Sequence, residues 1–539
     1  MADETAAEIV REFDELYANM GTWLSHWEEA AAVCLPRYSQ TINVSPMEQT
    51  PGAKKTQEIY DPTAVTGLER FAAAMESMLT PRNQRYQRIV PSDNYILKDR
   101  ASRLWFEEVT KRLFRLRNAP KANFQSQQHE SYMSLGAFGT GAKFIDGRPE
   151  GGFRYSTIPP GQVLFNINYQ GIIDCAYRKM VLTARQMKQR LDDGLYDRIP
   201  DAAMKALEKE PNKKFEIIHC VKPRREVKLY RMDFQRMEYA SYYVAVDEKT
   251  VLSEGGYNKF PYAISRYVTG PGEIYGRGPA MMALSAIKVL NQEKKDMLKQ
   301  GQRVVDPVLL MHDDGVLDTF SLKPGAQNIG GVNKDGRPLV HTLPTGNLAA
   351  GFEMMDLERQ AINDAFLVTL FQILIETPTM TATEVLERAR EKGALLSPTM
   401  GRQQSEDLGV MTEREIDLME MQGQLPPFTP AMIEAQGEWE IEYDSPLSRA
   451  QRAEEAAGFL RTFEVATAYA NSTQDFSALD YFNKDVIFPQ LASINAVPES
   501  WMNDPKQVQA IRDQRAQTQA VQGAIEAAPA AAGVIKALN

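Results

Sequence analysis

Two long helical patterns, set apart by a short non-helical stretch, constrain this chain more than any other feature. The first, YGRGPAMMALSAIKVLNQEKKDMLKQG, puts Gly278 at a helix N-cap and Pro279 at the first helical position, where its missing N–H costs nothing. Gly301 stands where a C-terminal glycine belongs, so the helix between spans roughly 33 Å at 1.5 Å per residue. Its first half is apolar on one face (Ala283, Leu284, Ile287, Leu290), and its second half carries Lys294, Lys295, Lys299 and then Arg303. The second pattern, Leu357 to Ile375, is reversed. Asp356, Glu358, Arg359 and Asp364 crowd its start, and its second half is bare of charge. If the two helices lie antiparallel, the polar halves meet at one end, and only an intervening module can join them there. Val304 to Ala350 supplies it, with the apolar runs VVDPVLLM and PLVHTL and turn dipeptides at Asp314-Gly315 and Asp335-Gly336. This predicts a small β-rich insert.

The stretch after the second helix restarts firmly. Thr381 and Glu384 form a capping box, Met380 and Val385 occupy the staple positions, and Pro378 keeps the two helices from fusing. Glu376, Thr377, Pro378, Thr379 and Met380 are thereby isolated as a loop, which on these residues alone reads as an ordinary helix–helix turn. Leu395 to about Gly423 is expected to be helical, followed by a strand at EWEIEYDSPL and a helical, Ala/Gln-rich tail from Arg449. Upstream, residues 1 to about 140 read as mostly helical. Trp23, Trp27, Ala30 and Cys34 recur at helical spacing, AVTGLERFAAAMESMLTP stops at Pro81, and RASRLWFEEVTKRLFRLRN is amphipathic. From about 140 to 275 the pattern is strand-like (KFEIIHCVKP, MEYASYYVAVD), interrupted by a short helix at TARQMKQRLDDG. The fold class expected is α+β, mainly α.

Composition narrows the function. The 539 residues, 43% hydrophobic and 24% charged, suffice for a large core and about two to four domains. A net charge of −10 excludes an ordinary nucleic-acid binder, which needs clustered Lys and Arg, but not a protein that handles DNA without holding it. Cys34, Cys175 and Cys220 are far apart with no CxxC, so neither a disulfide framework nor a zinc ribbon is expected. The start MADETAAEIVREF lacks the apolar core of a signal peptide, and the longest uncharged apolar run, Ala365 to Ile375, is too short to span a bilayer. A soluble intracellular protein is expected, with no membrane partner.

Catalytic signals are thin. There is no GxxxxGK[ST], HExxH or GxSxG. LGAFGTGAKFIDG, with Gly136, Gly139, Gly141 and Lys143, lacks the Lys-Ser/Thr pair of a phosphate loop and reads as a tight helix-to-strand turn. GPGEIYGRGP has the wrong spacing for a dinucleotide fingerprint and reads as a linker or hinge. His26, His129, His219, His312 and His341 show no metal-ligand spacing, and DSPLS and Asp313-Asp314 read as turns. No cofactor, metal or catalytic residue is expected, which favours a structural role.

EIYGRGPAMMALSAIKVLNQ before the insert, MTATEVLERAREKGALLSPTMGRQQSEDLG after the second helix and EYDSPLSRAQRAEE near the tail occur together and in order. The chain resembles the portal, or head–tail connector, proteins of short-tailed bacteriophages, over most of its length. The resemblance implies a ring, usually of twelve subunits, around a central DNA channel at one capsid vertex. Each subunit has wing, stem, clip and crown parts. Carried over, it makes 1–277 the wing (β-rich over 140–275), 278–303 the first stem helix, 304–350 the clip and 351–375 the second stem helix. The tunnel loop becomes 376–380, the wing return 381–440 and the crown 441–539. Glu376 to Met380 then project into the channel, and because the loop is short, neighbouring residues share the constriction. Lys288, Lys294, Lys295, Lys299 and Arg303 are candidate rings of positive charge in the channel; the alternative is that they are solvated or paired with acids. Twelve copies multiply −10 to about −120, and a wall that repels phosphate lets DNA slide. Implied partners are the chain itself, the packaging motor (terminase large subunit), tail adaptor and tail proteins, scaffold and major capsid protein, and double-stranded DNA passing through. The implied location is the virion, after synthesis in the host cytoplasm. Two rivals stand beside this: another virion assembly protein, and an intracellular enzyme with an unrecognised site.

Overall fold

In a computed structural model, the described residues are 2–42, 45, 47–50, 52–82, 84–93, 96, 99–311, 321–344, 348–368, 399–434, 438–443, 446–474, 476–494, 497, 501–504 and 506–519. The chain divides into two compact units, Met1–Thr80 with Pro120–Leu418, and Pro81–Ala119 with Met419–Asn539. In chain order, the first unit opens with α1 (Ala2–Asn19), α2 (Gly21–Cys34) and α3 (Thr63–Leu79). The second unit contributes β1 (Gln87–Pro91) and α4 (Arg100–Arg117). The first then resumes with α5 (Phe124–Phe138), β2 (Thr140–Gly147), β3 (Phe153–Ile158), β4 (Val163–Ile167) and β5 (Ile173–Thr183). After α6 (Ala184–Asp192) and α7 (Asp201–Lys209) come β6 (Lys214–Pro223), β7 (Tyr239–Ala245), β8 (Thr250–Tyr257) and β9 (Tyr262–Arg266). Next are α8 (Pro279–Met282), α9 (Leu284–Val305), β10 (Leu309–Met311), β11 (Val340–Thr342), α10 (Leu348–Ala365) and α11 (Val410–Met421). α12 (Pro430–Glu434), β12 (Trp439–Tyr443), α13 (Pro446–Thr473) and α14 (Lys484–Ile494) complete the labelled elements. The fold is α+β with helix predominating.

In the first unit, β4-β5-β6-β7-β8 form one antiparallel sheet and β3-β2-β9 a second. The core joins α2, α3 and α5 to these strands. Trp27 is fully buried, with Phe138 and Tyr275 at ring distances of 6.4 and 5.4 Å, and Phe71 meets Tyr267 at 5.8 Å. The glycines around Gly139 and Gly276 exist for close approach. Gly139 ends α5 at φ 71°, and a Cβ on it would collide with the backbone of residues 276–278. GPGEIYGRGP is therefore no hinge or linker. Tyr275 is buried, Gly276 donates to Thr140 Oγ1 at 3.1 Å, and Arg277 N–H donates to Val268 O at 2.6 Å.

In the second unit, β1 pairs antiparallel with β12 from Gln87↔Tyr443 to Pro91↔Trp439, and Arg88 bridges Glu442 at 2.8 Å. Asp99 caps α4, accepting from Ala101 and Ser102. The fully buried Arg117 donates to Tyr86 Oη at 2.8 Å. Residues 81–119 thus fold with residues 419–539. α7 is absent from the sequence reading, which placed only α6 between those strands.

Candidate functional site

Gly278 is the extended N-cap of α8 with Pro279 at N1, as the sequence predicts, but the helix bends at Ala283 (φ −89°, ψ 4°) before α9 begins. It also runs past Gly301 to Val305. Pro307 ends it: a residue before proline is pushed out of the helical region, and Asp306 adopts φ −124°, ψ 81°. The second helix is shifted the other way. α10 starts at Leu348 and is interrupted after Ala365, where Leu367 turns left-handed at φ 59°; Val368 is helical again, and 369–375 lie outside the described residues. On either side of that turn, Phe366 and Val368 are both buried. Phe366 seats against Gly67 of α3, where a Cβ would stand 3.0 Å from its ring.

Side chains from both helices grip the start of α3. Asn291 Oδ1 accepts from Tyr60 N–H at 2.7 Å, and its amide donates to Glu58 O at 2.7 Å. Asp61, almost fully buried, accepts from Thr63 at the start of α3 and from Arg359 Nη2 at 2.8 Å. Burial works to raise the Asp61 carboxyl, but the Thr63 and Arg359 hydrogen bonds outweigh it and hold its pKa below the usual carboxylate range.

The insert is β-rich as expected where it is described. β10 and β11 pair from Leu309↔Thr342 to Met311↔Val340, Val332 bridges Pro338, and Asp335-Gly336 makes a turn with Asn333 Oδ1 accepting from Asp335 and Arg337. Asp313, Asp314-Gly315 and His312 lie outside the described residues. Where α9 meets the insert, a cavity of about 410 Å³ is lined by Asp296, Lys299, Gln300, Arg303, Val308, Leu343 and Pro344. A lining of mixed charge and apolar carbon suits protein packing. No group of three or more His, Cys, Asp or Glu suited to a metal is found among the described residues.

Of the basic residues singled out, Lys288 pairs with Glu29 at 2.6 Å, Lys299 with Asp296 at 3.5 Å, and Lys295 lies over the Tyr60 ring at 5.4 Å. The Lys288 hydrogen bond holds the Glu29 carboxyl below its usual pKa. Lys288, Lys295, Lys299 and Arg303 follow one side of α9, and Lys294 falls off that side. Glu376, Thr377, Pro378, Thr379 and Met380 lie outside the described residues, as do Thr381 and Glu384.

Sequence reasoning missed how the chain is anchored beyond that gap. The helix described from residue 399 widens into a π-helical turn over Gln403–Gly409 before α11. The turn sets its acids against β2 and β9. Lys143, fully buried, meets Asp407 at 2.8 Å, and Gln128 Nε2 donates to Asp407 at 3.0 Å. Arg266 clasps Glu406, with Nη2 to Oε1 at 2.6 Å and its own N–H to Oε2 at 3.0 Å. Further along, Tyr155 donates to Glu415 and Asn258 to Asp417 at 2.8 Å. Lys143 is therefore a structural partner of Asp407, and the glycine-rich stretch around it is the helix-to-strand turn. The one available signal was the run of polar residues, QQSED, inside an otherwise amphipathic helix.

The sequence matches the family described as "Bacteriophage head to tail connecting protein" over residues 6–502. A "Probable portal protein" of Bordetella phage BPP-1 is 27% identical over 545 residues, covering 97% of this chain and 94% of that protein. The "Portal protein" of Salmonella phage epsilon15 is 26% identical over 544 residues, covering 99% and 95%. A solved chain from the "Virion of native gene transfer agent (GTA) particle" aligns with 76% of this chain and 89% of its own at 12% identity, with a TM-score of 0.35, too low to argue from.

Proposed function

The chain belongs to the bacteriophage head to tail connecting proteins and acts as a portal protein, and from that premise we propose that its copies close into a ring at one capsid vertex through which double-stranded DNA is packaged and ejected. The observation that carries the ring is apolar surface left in water along α9, the insert and α10. Val305 is 87% exposed, Ile329 91%, Leu322 70% and Leu357 67%. Apolar surface gathered along one segment marks an interaction site, and in a ring neighbouring copies cover it. The acidic balance supports a channel wall that DNA slides past.

The parts follow the chain. α9 and α10 are the stem, the insert between them the clip, and residues 376–380 the tunnel loop. The clip docks the packaging motor (a separate terminase subunit that supplies the ATPase) and later the tail adaptor. Scaffold and major capsid protein meet the ring during assembly at the capsid vertex. The protein itself carries out no catalysis. Its mass in solution tests the reading: a particle of about twelve 60.6 kDa chains supports it, and a stable monomer sinks it. Deleting residues 304–350 is expected to leave the rest of the fold and to abolish packaging and tail attachment, whereas normal virions would refute the clip assignment.

A further inference from the structure

The outward faces of α9 and α10 differ in charge. On α9, the exposed residues Lys288, Gln292, Asp296, Lys299 and Arg303 recur every three or four positions, three cations against one carboxylate. On α10, the exposed stripe is Glu353, Leu357, Gln360 and Asp364, two carboxylates and no cation. Opposite these stripes, Ile287 and Leu290 of α9 and Met355 and Ile362 of α10 are buried in the core.

We propose that the basic stripe of α9 pairs with the acidic stripe of α10 on a second copy of this chain, Lys299 with Glu353 and Lys288 with Asp364. The inference rests on the ring reading and assigns these lysines to the subunit contact, not to the channel wall. Spacing supports it. Lys288 to Lys299 and Glu353 to Asp364 are the same eleven residues apart, about three helical turns, so two antiparallel helices make both pairs at once. Height supports it too. Met297 packs on the Gly351 backbone so closely that a Cβ there would collide with its sulfur, which fixes those two residues at one level. From that level, Lys299 and Glu353 diverge by four residues, about 6 Å, and so do Lys288 and Asp364, in the same direction. Rotation about a ring axis preserves height, and one modest tilt of neighbouring helices closes both gaps. A basic face meeting a different, acidic face is a heterologous contact, the kind that generates rings. The two lysines' own ion pairs do not hold them strongly. Lys288–Glu29 is half exposed, and Lys299–Asp296 is an exposed contact at 3.5 Å.

The test uses the full chain and two charge reversals, Lys299→Glu and Glu353→Lys, with particle mass read by native mass spectrometry at low and high salt. Each variant alone sets like charges across every contact and is expected to raise the concentration for half-assembly about tenfold at low salt. Mixing the two variants offers matched contacts only between unlike copies, so rings of alternating composition are expected at near wild-type concentration. This rescue also shows that both variants fold. If wild type forms rings and both variants assemble as it does, these faces serve another partner and the inference falls while the ring reading stands. If each variant is impaired and mixing fails to restore rings, these residues are not partners. If wild type remains a monomer, the ring reading fails and the inference with it.

Discussion

In the seam between the α11 region and the strands of the first unit, Lys143 and Asp407 are withdrawn from water and each meets an opposite charge. On the helix–insert–helix segment, Val305, Ile329 and Leu322 are left in water with no cover among the described residues. The seam places charge where charge is most expensive and satisfies it within one chain. The segment places apolar carbon where it is least useful to a monomer. The seam therefore pairs the Lys143 and Asp407 charges without a second chain, and on the proposed reading the segment is covered in an assembly. Substitutions in the first should damage folding, and substitutions in the second should damage association.

The largest effects belong to the interior. Lys143→Met strands the Asp407 carboxylate in the core, and breaking one side of a buried pair costs about 3–5 kcal/mol. Adding Asp407→Leu should recover part of that loss in a denaturant titration, and not all of it, because the buried Gln128 Nε2 loses its acceptor. Failure of the double substitution to recover would mean that the pair is not what holds the seam. Phe366→Ala empties a site that is fully buried against Gly67 and is expected to cost about 3–5 kcal/mol as well. An unchanged melting temperature would contradict that packing.

Acid gives a smaller, graded effect. His219 is buried between Tyr262 and Ser241, stacked at 4.2 Å on Tyr243, and burial holds its pKa well below the usual imidazole value. Below about pH 6.5 the unfolded chain binds this proton and the folded one does not, so stability falls by up to about 1.4 kcal/mol per pH unit. Asp61, held low, adds a second loss as pH drops through the carboxylate range, since its contribution is present above the unfolded value and lost below it. Chemical denaturation at pH 7.5, 6 and 5 checks the slope, and His219→Phe should flatten the first part of it.

The smallest effects on folding lie on the exposed segment. Leu357→Ser and Val305→Ser are expected to change subunit stability by less than about 0.5 kcal/mol, because neither side chain is covered. Ring yield should nonetheless drop in sedimentation. A fall in melting temperature with normal ring yield would invert the comparison.

How legible each region was in the sequence follows the same division. Helices with a regular apolar stripe were readable: α3 and α4 appear where their periodicity puts them, Pro279 opens α8 just ahead of α9, and KFEIIHCVKP is β6 residue for residue. The insert was readable from its turn dipeptide and apolar runs. What failed was non-local. The pairing of β1 with β12 joins residues more than 340 apart, and nothing in QRIVP announces its partner. Gly301 looked like a helix end, but the stop came from Pro307, six residues on. α10 breaks at Leu367, a good helix former whose left-handed backbone nothing in the local sequence announces. The seam was hidden because Lys143 and Asp407 each look like surface residues until the strand and the π-helical turn bring them together. The loop at Glu376 to Met380 was singled out from its flanks and lies outside the described residues.

Hydrogen exchange, read peptide by peptide on assembled and unassembled protein, tests the contrast most directly. The account predicts that amides of β2, β9 and α11 are equally protected in both states. Those of the second half of α9, of β10 and β11, and of the first half of α10 should gain protection only on assembly. A seam that tightens on assembly, or a helix–insert–helix segment whose exchange does not change, would contradict it.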